Sequence, residues 1–172
     1  MSFSEISLNS ELVSRSEQWT KQHFSEAVGK LGELVRIPGI AWPAFDPAEL
    51  ERSAEAVANE LKTLEFFDFV EVRRSKKPSG ENGAPAVLAR RSAAADAPHI
   101  LLYAHHDVQP PGERNLWESE PFEVTQRGDR LYGRGAADDK AGVITHIYSL
   151  KALMELAEDL RIGVTVFIEG EE

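Results

Sequence analysis

Three short stretches of the chain gather residue types that bind cations or move protons. They are Tyr103-Ala104-His105-His106-Asp107, then Gly133-Arg134-Gly135-Ala136-Ala137-Asp138-Asp139-Lys140, then Glu169-Gly170-Glu171-Glu172. The 172 residues include no cysteine, so disulfides and thiolate zinc sites are excluded, and any metal centre must be built from imidazole and carboxylate. In the first stretch, alternate side chains of an extended segment share a face, which pairs His105 with Asp107 and turns His106 away. An imidazole oriented by a neighbouring carboxylate is suited to holding a metal ion, which favours His105 over His106 as the ligand. By itself, a His-x-Asp pattern is more often no more than the polar close of a strand.

The second stretch admits several readings. Gly133-Arg134-Gly135 suggests a dinucleotide loop, but the sixth position of that pattern is Asp138, a carboxylate where close helix packing and an anionic pyrophosphate require glycine. Asp138 and Asp139 could cap the helix that follows. Either could also hold a metal, and a carboxylate there could bridge two cations through its two oxygens. The acids of the third stretch repel one another in a shared pocket unless cations compensate them or one takes a raised pKa and works as a base; otherwise they form a solvated acidic end. His23, His99 and His146 have no acid at telling spacing, and Trp117, Pro121 and Phe122 are expected to anchor a long loop through apolar contact.

The elements that must position these stretches can be read from periodicity. Phe24, Ala27, Val28, Leu31, Leu34 and Val35 recur at helical spacing and are closed by Pro38-Gly39. Asp46-Pro47-Ala48-Glu49 opens a second helix, with Asp46 as cap, Pro47 in the first turn and Glu49 able to reach back to the cap amide; Leu50, Ala54, Val57, Leu61 and Leu64 form its buried face. Strands are predicted over 69–74, 86–91, 100–104 and 163–168, a hairpin over 122–132, and a long helix carrying Val143, Ile147, Leu150, Leu153, Met154 and Ala157. This alternation implies an α/β layer structure, and no linker divides it. Ligands of such sheets collect beyond the carboxyl ends of strands, where the polar stretches lie.

Composition narrows the classes. With 19 Lys+Arg against 29 Asp+Glu, the formal charge is −10, opposite to what gripping a phosphate backbone requires, so no nucleic-acid partner is expected. The first thirty residues lack a basic start followed by an apolar run, and nothing approaches the roughly 20 apolar residues of a membrane span. A soluble, cytoplasmic protein with no membrane partner is the expectation.

Taken together, YAHHDVQP, WESEPF, LYGRGAADDKAG and VFIEGEE resemble the M20 family of metallopeptidases, which includes carnosinase-like dipeptidases, aminoacylases, glutamate carboxypeptidases and succinyl-diaminopimelate desuccinylases. The likeness runs from about Phe24 to the last residue, and DVQP and EGEE look most like the dipeptidase branch. The resemblance implies a zinc-peptidase-like α/β fold, a mixed sheet with helices packed on both faces, incomplete here. It also implies two divalent metal ions, zinc with manganese or cobalt as alternatives. Carried over by position, His105 is a metal ligand, Asp138 the carboxylate bridging both ions and Asp107 the residue that orients His105. Glu172 is the general base if another Glu follows the motif; otherwise Glu171 is the base and Glu172 a ligand. His106 departs from the usually apolar residue at its position, and Ala141 stands where the family commonly has Gly.

The implied reaction is cleavage of the amide bond of a dipeptide or N-acyl amino acid by a water whose pKa the metals lower towards ~7. The glutamate would pass the water's proton to the leaving amine, a role worth about 10²–10⁴ in rate. The resemblance further implies that residues 1–172 are the N-terminal portion of a catalytic domain. A further carboxylate ligand, a second metal-binding His and a smaller lid or dimerisation domain are then expected downstream, in a full-length protein that forms a homodimer. By itself this portion is expected to bind metal weakly and hydrolyse little. The alternative is a catalytically inactive M20-like protein that uses its cleft for binding or regulation. Retention of His105, Asp107, Asp138 and the Glu pair favours catalysis, and a structural calcium is disfavoured because imidazole suits that hard cation poorly.

Overall fold

The computed structural model describes residues 10–157 and 159–172. Helix α1 (Ser10–Val35) begins well before the apolar repeat that announces it, and buries Trp19, Leu31, Leu34 and Val35. Phe24, expected on its inner stripe, is instead 62% exposed. Helix α2 (Pro47–Lys62) starts as its sequence dictates, with the Asp46 carboxylate accepting from the Ala48 N–H at 2.9 Å and Pro47 in the first turn, where no amide is needed. Glu49 does not reach back to the cap; its carboxylate turns to Arg52 at 2.9 Å. The predicted inner face of α2 is buried throughout, from Leu50 to Leu61, with Leu64 just beyond its end.

The strands are β1 (Phe69–Arg73), β2 (Ala86–Arg91), β3 (His99–His105) and β6 (Gly163–Glu169), in the order β1-β2-β6-β3. β1 and β6 both run antiparallel to β2, while β3 runs parallel to β6. A small hairpin of β4 (Thr125–Arg127) and β5 (Arg130–Tyr132) stands apart, its first strand shorter than predicted. Helix α3 (Lys140–Leu156) connects the hairpin to β6. Its apolar length supplies the crossover cover that a parallel β3/β6 pair needs.

One face of the sheet carries Val87, Ala89, Ala104, Val164, Val166 and Ile168, all buried in one core with the inner faces of α2 and α3. The other face carries Leu101, 64% exposed, and Tyr103, 49% exposed. Among the described residues, helices therefore cover one face of the mixed sheet rather than both. The α/β architecture expected from the sequence is present, and no helix of the described residues is long and apolar enough to cross a membrane.

Candidate metal centre

Because β3 and β6 are parallel and in register with His105 opposite Glu169, both strands deliver their polar ends to the same edge of the sheet. The loop that leads into α3 closes over that edge. His105 Nε2 lies 3.1 Å from Asp138 Oδ1 and 3.4 Å from Glu172 Oε2. All three donor atoms lie within 4.8 Å of one another. With metal bonds of about 2.0–2.2 Å, the edge of a tetrahedral ligand set is roughly 3.3–3.6 Å, close to the two separations from His105. The set is nitrogen and oxygen only, which suits zinc and its first-row neighbours.

The alternation expected of the first polar stretch is realised. His105 and Asp107 face the site, while His106 is turned inward and wholly buried, its Nε2 2.8 Å from the Pro85 carbonyl. Burial pushes the His106 imidazole down to about 4, so it is held neutral. The contact between Asp107 and His105 differs in detail from the expectation. His105 Nδ1 is 3.1 Å from the main-chain carbonyl of Asp107, and the Asp107 carboxylate lies alongside at 3.3 Å. Both interactions fix the Nδ1–H tautomer and leave Nε2 for Asp138 and Glu172.

Asp107 Oδ1 is buried and makes no well-formed hydrogen bond, its partner His105 Nδ1 lying 3.3 Å away. Burial raises the Asp107 carboxyl above its ordinary value, although the neighbouring His105 works against this. For His105, burial opposes the charged form, but the hydrogen bond to Asp138 and the charges of Asp107 and Glu172 outweigh it, so the imidazole is raised. A partly orphaned buried carboxylate beside a half-ring of acids is an environment that attracts a cation, whether a proton on His105 or a metal ion at Nε2.

The acids of the third stretch diverge instead of sharing one pocket. The Glu169 carboxylate accepts from the Tyr103 hydroxyl on the uncovered sheet face. Glu171 turns to Lys77 at 3.6 Å, and Glu172 alone joins His105. Of the adjacent aspartates, Asp139 is the helix cap, accepting from the Gly142 N–H at 3.1 Å, and Asp138 is left free to face His105. Trp117 anchors the long loop through its indole N–H to the Pro111 carbonyl at 2.8 Å and through the Arg134 guanidinium 5.6 Å from its ring centre.

Sequence reasoning passed over Lys140. It is fully buried, and its ammonium donates to the carbonyls of Leu34 at 2.7 Å and Ile37 at 2.6 Å, at the end of α1. Burial pushes it down to about 7. Its stem underlies Gly135, whose φ of +83° is a conformation suited to glycine. The only available signal was its place in the first turn of a helix, where a cation meets the unfavourable end of the dipole and needs other partners.

Comparison with known proteins bears on the same residues. The sequence model of peptidase family M20/M25/M40 matches residues 101–172. The chain is 32% identical to the Beta-Ala-His dipeptidase of Rattus norvegicus over 90% of its own length and 32% of that protein's. It is 35% identical to a Cys-Gly metallodipeptidase of Schizosaccharomyces pombe over 86% of its length and 32% of that protein's. The crystal structure of human carnosine dipeptidase 1 superposes with a TM-score of 0.77 at 28% identity, covering 91% of this chain and 34% of the other. The chain thus spans about a third of the length of the curated relatives it matches.

Proposed function

We propose that this protein, whose residues 101–172 match the model of peptidase family M20/M25/M40, works in metal-dependent hydrolysis of small peptides, with His105 and Asp138 as metal ligands. The observation that carries the proposal is the convergence of His105 Nε2 and Asp138 Oδ1, from separate segments, at a separation fitting one coordination sphere, with Glu172 Oε2 beside them. Divalent ions bound there, zinc by the donor set, would polarise a scissile carbonyl and lower the pKa of a water.

The chain's own groups would do the rest. Asp107 holds the His105 ring so that Nε2 points at the site. Asp138 offers both oxygens at the mouth of the site, its side chain 77% exposed. Glu172 takes a proton from the attacking water and returns it to the leaving amine. Glu172 is the member of the pair that reaches His105, whereas Glu171 turns towards Lys77, so the base role is assigned to the acid that stands at the site. Likeness to dipeptidases supports a dipeptide as substrate, with an N-acyl amino acid as the second choice.

In the proposed organisation, residues 1–172 are one portion of a catalytic domain. The 172-residue chain is then expected to take up zinc in a calorimetric titration, weakly, and to turn over little dipeptide. Absence of any zinc heat would favour a binding protein without catalysis, and robust dipeptide turnover by these residues alone would contradict the organisation proposed.

A further inference from the structure

Asp139 has two partners of different kinds. Its Oδ1 accepts from the Gly142 N–H at 3.1 Å and caps α3; its Oδ2 accepts from the His105 N–H at 3.3 Å. The second bond has a structural cause. β3 is an edge strand, and the His106 N–H already points to β6, bonding the Glu169 carbonyl at 2.8 Å. Successive amides of a strand point to opposite sides, so the His105 N–H points away from the sheet, where no strand can receive it. Gly142 makes room for the carboxylate there, since a Cβ at position 142 would collide with it.

We propose that Asp139 is a positioning residue for the metal centre. A single carboxylate clamps the exit amide of β3 to the first turn of α3 and thereby sets the spacing of the His105 and Asp138 side chains. The proposal rests on the metal-centre reading above. It differs from plain helix capping, which needs only the bond to Gly142. Asn and Ser cap helices about as well as Asp. Neither replaces both bonds: Asn has one acceptor oxygen, and the Ser hydroxyl sits one atom closer to the backbone.

The test uses Asp139→Ser and Asp139→Asn in the complete chain, with thermal melting, zinc affinity by competition with a chelating dye, and hydrogen exchange of the His105 amide. Both variants are expected to melt near the parent temperature, lose about 10–100-fold in zinc affinity and exchange the His105 amide faster. Parent-like zinc affinity and parent-like His105 protection would overturn the proposal, leaving Asp139 a cap. A fall in zinc affinity that only tracks a fall in melting temperature would overturn it as well. If the parent chain binds no zinc, the metal-centre reading fails and takes this inference with it, an outcome distinct from the other two.

Discussion

Alanine at His105 or at Asp138 is expected to lower zinc affinity by about a hundredfold or more, and alanine at Glu171 to change it by no more than a few-fold. Losing an outer partner of a metal ligand typically costs 10–100-fold, so losing a direct ligand should exceed that range. The Asp138 variant is the cleaner of the two. Its side chain is 77% exposed and makes no cap, so its removal should leave stability within about 0.5 kcal/mol. The His105 side chain is 8% exposed, and its loss also opens space beneath Asp107. Dye competition read beside thermal melting separates the two effects. Glu171 serves as the control because it lies in the same acidic run yet faces Lys77. An equal loss for Glu171→Ala and Asp138→Ala would mean that diffuse negative charge, not a defined ligand set, draws the ion.

The second large effect is on the fold. Ile168→Ala should destabilise the chain by about 2–5 kcal/mol and Ile168→Val by about 0.5–1.5 kcal/mol, measured by urea unfolding. Ile168 is buried on β6, opposite Val87 on one side and Ala104 on the other, and forms part of the single core between the sheet and the helices. At roughly 2–4 °C per kcal/mol for a chain of this size, the alanine variant should melt lower by on the order of 10 °C. Leu101→Ala, on the uncovered face, should stay within about 0.5 kcal/mol. Comparable losses at the two positions would contradict a core confined to one side of the sheet.

What could be read from the sequence was what local physics determines. The inner face of α2 and its Asp46 cap follow from spacing and residue type, and they lie where the pattern puts them. Alternation in β3 assigned His105 and His106 to opposite sides without any tertiary information. What escaped depended on contacts distant in sequence. Phe24 fits the helical repeat of α1, but that stretch of the helix leans on α3 rather than on the sheet and leaves the ring outside. The choice between Asp138 and Asp139 as cap is one residue of helix phase, beyond what spacing resolves. The Glu169 to Glu172 run looked like one cluster because only the fold shows that Tyr103 and Lys77 draw two of its members away. Lys140 could not be placed in the core by composition, since its partners are carbonyls at the end of a helix more than a hundred residues earlier.

The most direct measurement is anomalous diffraction at the zinc edge from crystals of this chain grown with zinc. The account predicts a peak within about 2.0–2.2 Å of both a His105 nitrogen and an Asp138 oxygen. Zinc found only on other surface acids, or His105 and Asp138 bonded to each other with no ion between them at saturating metal, would contradict it.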